Sequence, residues 1–402
     1  MARRASVAPA PAAGAAPLRS ARPRRRREHW LGWEARLMTI ITAALVVFGL
    51  VSVYAASSAL LVRGTPVGMS LALDQALGAA AGGLLAIVAA RLDLSRLQKL
   101  AWPLMLGTLF LLAVLLLPFT HAIAPRLNGS RRWLHLGLSI QISEVAKLVA
   151  VIWTAALCAK KGKEVSHARR GLVPVLAIIV PMALLVLAEP DLSTAVVIGF
   201  LAMIVLFAAG ARIGHFILLA AVAFPFLWER IQHVQYRLLR LTSFLDPGAD
   251  PLQSGYQINQ SLIGLGAGRW LGVGFGHGQQ KLGFLPYPYS DFIFATIGEE
   301  WGFLGVVFLV VLYTAWLVLA LRLARAAADP FRQYLGVGLA ALVGVDAFLH
   351  MGVGLGIVPT TGLVLPFISY GRSSLVVALV ATGLLLNLGT RQRSLGAAKA
   401  GR

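Results

Sequence analysis

The chain is short of charge, and shorter still of acid. Asp and Glu together number 16 in 402 residues, against 36 Lys and Arg, and only 13% of residues are charged. Soluble domains carry about 25%. There is one cysteine, Cys158, which excludes an intramolecular disulfide and a cysteine-built metal cluster and leaves packing at a helix end as its role. What fills the chain instead is apolar: 58% of residues are hydrophobic and the mean hydropathy is +0.78. Runs long enough to cross a bilayer recur along nearly the whole length. They are continuous and do not alternate with period two, so a β-barrel is excluded. The sequence predicts an all-α polytopic membrane protein.

Ten spans are expected, at roughly 37–60, 69–90, 100–119, 143–159, 171–188, 192–211, 213–228, 291–321, 333–356 and 373–390. The pair covering 192–228 is broken only at 210–214. The 291–321 run is too long for one simple span, so its first turns are expected at the interface. A large loop, about 229–290, separates the seventh and eighth spans.

The net charge of +20 does not point to nucleic acid, because no contiguous basic face emerges. Most Lys and Arg fall in alternate loops: Arg91, Arg96 and Lys99; Lys160, Lys161, Lys163, Arg169 and Arg170; Arg322, Arg325 and Arg332; then Arg391, Arg393, Lys399 and Arg402. Positive-inside then puts both termini in the cytoplasm. Residues 1–34 read as a basic cytoplasmic tail, with RPRRRR at 22–27 suited to anionic membrane lipids. A signal peptide is not expected, since the apolar run that follows is too long for one. Residues 393–402 form a second cytoplasmic tail.

Two outward loops hold the chemistry. The first, about 118–143, contains NGSRRWLHLGLSIQISEVAK. The second carries Tyr, Phe, Trp and Leu throughout, so it is expected to fold back as amphipathic or re-entrant pieces. Its glycine-rich GLGAGRWLGVGFGHG is no dinucleotide fingerprint, lacking a strand–helix unit. Tight turns and close helix approach compete there with exposed N–H groups for a phosphate. Asp246 and Asp250 lie in SFLDPGADP and read as turn residues beside Pro and Gly.

Acids and bases at or inside the spans are expensive to desolvate and mark candidate sites. Glu144 and Lys147 stand three apart on one helix face and can pair. Arg131 and Arg132 lie just upstream and make a cationic rim suited to a phosphate-bearing ligand. Asp191 either caps the sixth span or takes part in chemistry. Asp346 and His350, four apart, can hydrogen-bond to each other, as a structural pair or as a proton relay. Asp291 follows a Pro-rich aromatic turn, LPYPYSD, and opens a helix. It is either the helix cap or a general base at the membrane surface.

Taken together, these motifs resemble the SEDS family of bacterial cell-wall polymerases, FtsW and RodA, over roughly residues 35–392. VYAASS at 53–58, SRRWLHLGLSIQISEVAKL, EPDLSTA at 189–195, LTSFLDP, GYQINQSLIGLGAG, LPYPYSDFIFATIGEE and PTTGLVLPFISYGRSSL at 359–375 occur in the family's order. Thr242-Ser243-Phe244 and Ile297-Gly298-Glu299-Glu300 lean toward the cell-division branch, FtsW. The resemblance implies an inverting peptidoglycan glycosyltransferase that polymerises lipid II at the outer face of the cytoplasmic membrane in septal wall synthesis. It implies Asp291 as the essential aspartate. Glu144, Lys147, Asp191, Arg131, Arg132, Glu299, Glu300, Gln257 and Ser261 become supporting or substrate-binding positions. It also implies nascent glycan, a class B penicillin-binding transpeptidase and divisome proteins as partners, and leaves open a divalent cation, Mg or Mn.

The chain departs from the family pattern in places. Ile142 stands where Pro is usual, and Tyr287 and Tyr289 where Glu and His are common, making a more aromatic surround that should raise the Asp291 pKa. Arg372 replaces a Gly. Asp346 and His350 replace Gln and Asn and read as a compensating pair. The rival readings are a lipid II flippase, which would depend on residues at mid-depth, and a scaffold without catalysis. Against the flippase, the acids gather toward the outer face and no internal repeat is evident.

Overall fold

The computed structural model describes residues 32–62, 64–117, 132–136, 138–246 and 255–400. The chain folds as helices α1 (Trp33–Ser57), α2 (Gly68–Arg91), α3 (Leu94–Leu116), α4 (Ile142–Lys161), α5 (Val173–Ala188), α6 (Leu192–Ala208), α7 (Ile213–Gln232), α8 (Gln235–Leu245), α9 (Tyr256–Gly268), α10 (Ile293–Arg325), α11 (Pro330–Gly354) and α12 (Arg372–Ala400). Among the described residues nine helices are long and apolar enough to cross a membrane, and α6, at 17 residues, is a shorter apolar one. Two small hairpins accompany them: β1 (Leu61–Val62) with β2 (Thr65–Pro66), and β3 (Trp133–Leu136) with β4 (Leu138–Gln141). The second hairpin occupies part of the first outward loop, where no strand was expected. Its four-residue strands are too short for periodicity to distinguish from loop.

The helices sort by what they bury. In α4, 72% of the spanning window is inside the protein, and in α7 none is. α4, with α12 at 72% and α11 at 67%, therefore packs inside the bundle and α7 lies on its outside, although all four are apolar. Bilayer hydrocarbon is as apolar as leucine, so helix contact depends on close fit and not on hydrophobicity. Small residues supply that fit: Gly82 lies against Leu379 and Val376, and Gly383 against the Ala86 backbone, where α2 and α12 meet.

α10 holds the one break that matters for the site. Gly302 has φ 67 and ψ −166, a region essentially restricted to glycine. The kink turns the first turns of α10 away from the long span that follows, as the excessive length of the 291–321 run implied. It also frees backbone groups, and the glycine-rich stretch takes them up. Val273 and Gly274 N–H donate to the carbonyls of Glu299 and Glu300 at 3.0 and 3.1 Å. Phe303 and Leu304 N–H donate to Arg269 and Trp270 carbonyls at 2.8 and 3.2 Å. Gly272, Gly274 and Gly276 all have positive φ, and a Cβ on Gly272 would strike the Glu300 backbone. The glycines thus serve close approach and tight turning, and the N–H groups at Val273 and Gly274 are already in use.

Candidate functional site

The segment between α11 and α12, residues 355–371, gathers one end of the bundle. Ser193 of α6 donates to the Thr361 carbonyl at 2.8 Å. His350 Nδ1 contacts the Leu363 carbonyl at 2.8 Å. The Tyr313 hydroxyl donates to the Pro366 carbonyl. Ser369 donates to the Ser290 carbonyl at 2.8 Å, and Tyr370 N–H to the Tyr289 carbonyl at 2.9 Å. Gln75 of α2 donates to the Ser369 carbonyl at 2.8 Å and accepts from Gly371 N–H at 3.2 Å. Gln141, just before α4, donates its N–H to Ser373 Oγ at 2.8 Å. The N-terminal ends of α6 and α10 are thereby tied to one strap of chain, which runs directly into the start of α12, where Ser373 holds the N-terminal end of α4.

Asp291 stands against that strap. A Cβ on Gly362 would lie 4.0 Å from Asp291 Oδ2. The turn before it is closed by Ser290 and Phe292 N–H, both donating to the Tyr287 carbonyl at 3.2 and 3.4 Å. Thr296 Oγ1 donates to the Pro288 carbonyl at 3.2 Å. Helix α10 begins at Ile293 with Phe292 at the cap position and no side-chain cap bond. Asp291 is therefore not the helix cap. Its carboxylate accepts from the Ser290 hydroxyl at 3.2 Å and is partly exposed. Burial pushes the Asp291 carboxyl above its ordinary 3.8, while the Ser290 bond and the charge of Arg240 pull the other way. The Tyr289 ring meets Tyr370 edge-on at 5.8 Å, and burial pushes both phenols up.

Asp191 caps α6, its Oδ1 accepting from Thr194 N–H at 3.1 Å. Arg132 is held to the same corner. It donates to the Glu189 and Pro190 carbonyls at 2.9 and 2.6 Å and lies 3.7 Å from Asp191 Oδ2. The guanidinium thus braces the end of α5 and the start of α6 while staying part-exposed. Arg131, and with it Asp250, lies outside the described residues.

Glu189, which the sequence gave no reason to single out, is 1% exposed, and neither carboxyl oxygen has a partner among the described residues. Burial first, and then the Asp191 charge, push its carboxyl up to about 8, with Arg132 opposing.

Deeper in the bundle, Lys147 is fully buried between two carboxylates, Glu144 at 2.9 Å and Asp346 at 2.6 Å. The Glu144–Lys147 pair is as the spacing implied. The Asp346–His350 pair is not. Asp346 takes Lys147 across from α4, and His350 bonds the strap at Leu363. A full positive charge outcompetes a neutral ring four residues away, because an unpaired buried carboxylate is so costly.

Glu299 and Glu300 serve the neighbouring loop. Glu299 accepts from Gln279 N–H at 2.8 Å and Gln280 N–H at 3.2 Å. Glu300 pairs with Lys281 at 2.8 Å, both side chains almost fully buried. On α9, Ser261 donates to the Gly354 carbonyl at 2.7 Å and Gln257 is half-buried. Among the described residues no three His, Cys, Asp or Glu side chains gather as a metal cage would require. The described residues around Asp291 do not make a protein-built site for a divalent cation.

The class is now defined: a polytopic helical membrane protein whose buried ionisable groups collect toward one strap and a folded loop. The chain belongs to the FtsW/RodA/SpoVE family, whose model, described as a cell cycle protein, matches residues 35–394. It is 37% identical over 358 residues to the probable peptidoglycan glycosyltransferase FtsW of Geobacter metallireducens, covering 89% of this chain and 95% of that one. It is 36% identical over 358 residues to the stage V sporulation protein E of Bacillus subtilis, covering 89% and 97%. Among solved structures it is similar to a chain of a peptidoglycan synthase complex that coordinates polymerization and crosslinking, with TM-score 0.72, 31% identity and coverage of 90% and 98%. It is also similar to the rod shape determining protein RodA of Thermus thermophilus, with TM-score 0.64, 29% identity and coverage of 90% and 97%.

Proposed function

We propose that this protein is a peptidoglycan glycosyltransferase that polymerises lipid II into glycan strands at the outer face of the cytoplasmic membrane, in septal wall synthesis. The observation that carries the mechanism is Asp291 itself. It is free of the helix cap, partly exposed, less acidic than an ordinary carboxylate, and set against the strap that ties the helix ends together. In the mechanism, the growing glycan is the donor, carried on its lipid diphosphate, and lipid II is the acceptor. Asp291 takes the proton of the acceptor 4-hydroxyl as that oxygen attacks the donor's anomeric carbon. One base on the face opposite the leaving group suffices for inversion. Lys147 holds α4 to α11 through Asp346, and Asp191 with Arg132 fixes the α5–α6 corner. Glu299 and Glu300 brace the loop beside α10. Both termini are cytoplasmic in this reading, the site faces outward, and a class B penicillin-binding transpeptidase crosslinks the product.

The test is polymer formation from lipid II by purified full-length protein with its transpeptidase. Asp291→Asn, still folded and still binding lipid II, makes no polymer. Full activity in that variant would sink the assignment.

A further inference from the structure

A diphosphate leaving as an anion needs a cation near the reacting carbon. Two of the cations singled out from the sequence have partners of their own, Lys147 in Glu144 and Asp346 and Arg132 at the α5–α6 corner, and Arg131 lies outside the described residues. Among the described residues, a cation that acts on Asp291 is Arg240, on α8. Its side chain is exposed and its charge acts on the Asp291 carboxylate. Its Nη1 donates to the Thr360 carbonyl at 3.5 Å. Asp291 meets the same strap at Gly362. Two residues of extended chain span at most about 7 Å, so guanidinium and carboxylate flank one short stretch of backbone. The other charged groups at this corner, Arg132 and Asp191, lie across Ser193, which bonds Thr361 between the two.

We propose that Arg240 binds the donor's diphosphate leaving group, across the reacting carbon from Asp291. The inference rests on the glycosyl-transfer reading above and names the group that completes that site. The acceptor hydroxyl oxygen bonds to the anomeric carbon and its proton passes to Asp291. The bond from that carbon to the diphosphate oxygen breaks, and its electron pair departs as negative charge on the diphosphate, which Arg240 meets. In inverting glycosidases the two groups acting on opposite faces stand about 6.5–9.5 Å apart. The strap between Thr360 and Gly362 spans at most about 7 Å, which is compatible with two groups working from opposite sides of one reacting carbon. A guanidinium is charged at every working pH and presents a planar fork that matches two phosphate oxygens, which a lysine does not.

The experiment uses the full-length chain with its transpeptidase, lipid II as substrate and undecaprenyl diphosphate as the competing product. Arg240→Ala should lower kcat by about 10²–10³-fold, the usual loss for one anion-stabilising donor. It should also need about ten-fold more undecaprenyl diphosphate for half-inhibition, the loss expected of one weakened contact. Arg240→Lys should recover part of both. An Arg240→Ala enzyme with wild-type rate, or one that is slow yet inhibited as strongly as wild type, overturns the proposal. If the alanine variant fails to fold, Arg240→Lys decides: wild-type rate with wild-type inhibition overturns the assignment equally. Asp291→Asn run in parallel separates the two levels. Its retention of activity sinks the base assignment, whereas an inactive Asp291→Asn beside a normal Arg240→Ala sinks only the role of Arg240.

Discussion

A general base must be unprotonated when the acceptor arrives and still basic enough to take a hydroxyl proton. Burial moves the Asp291 carboxyl toward that compromise, and Ser290 and Arg240 limit how far it goes. The sign follows directly. Only the deprotonated form works, so kcat/KM should rise with pH through a midpoint above 3.8, the ordinary value for the group. Arg240→Ala should move that limb to higher pH, because it removes a neighbouring positive charge. A limb that stays put would show that the titrating group is not Asp291. Glu189 makes the opposite kind of case, since nothing requires it to ionise. Its folded carboxyl titrates near 8 against 4.5 ordinarily, so the native state holds the proton more tightly than the unfolded chain. Its stabilising contribution is complete below 4.5 and is lost as pH rises toward 8. Glu189→Gln should therefore gain melting temperature over wild type as pH goes from 5 to 9, by several degrees. A constant difference across that range would mean that Glu189 is already ionised in the fold. Asp291 was legible in the sequence because acids are so scarce that each one at a helix start stands out. Glu189 and Arg240 were not. The first was one letter of the EPDLSTA motif, and the second one more arginine in a long loop. Their weight comes from burial and from a partner more than a hundred residues away, neither of which spacing records.

Elements were legible where hydropathy alone decides them. Helices occur where the apolar runs predict, with ends shifted by a few residues, and among the described residues nine of them are long and apolar enough to span. The β3–β4 hairpin was missed, because two four-residue strands leave too little pattern to read. The kinked start of α10 was foreseen only as excess length. Its cause is a single residue. Gly302 occupies a backbone region closed to side chains, and a Cβ there would collide with the Gly272 and Leu271 amides. Gly302→Ala should cost about 1–3 kcal/mol, the usual range for forcing such a conformation. It should also loosen the 269–282 loop that borrows the freed backbone groups. Limited proteolysis alongside thermal melting tests both. A variant as stable and as protease-resistant as wild type would mean that the kink is not held by that contact. The i,i+4 rule failed at Asp346 and His350 for a related reason. It describes what one helix can do alone, and in this bundle α4 brings a lysine to the acid first.

At the scale of the whole molecule, orientation decides whether this site can meet an extracytoplasmic substrate. α4 is 20 residues long, about 30 Å at 1.5 Å per residue, which matches the hydrocarbon thickness. Glu144 lies near its first end, which is tied to the first turn of α12, directly after the strap beside Asp291. Lys160 and Lys161 close its other end, with Lys163, Arg169 and Arg170 just beyond. In the proposed orientation, positive-inside puts that basic end in the cytoplasm and the strap and Asp291 outside. The single buried cysteine gives a direct way to check. In a Cys158→Ser background, His277→Cys and Lys163→Cys place exposed thiols at opposite ends of the bundle. A membrane-impermeant maleimide applied to intact spheroplasts should label His277→Cys, and should label Lys163→Cys only after permeabilisation. The reverse pattern would turn Asp291 toward the cytoplasm. A base there could not act on lipid II already delivered to the outer leaflet, and the assignment of this end of the bundle as a polymerisation site would fall with it.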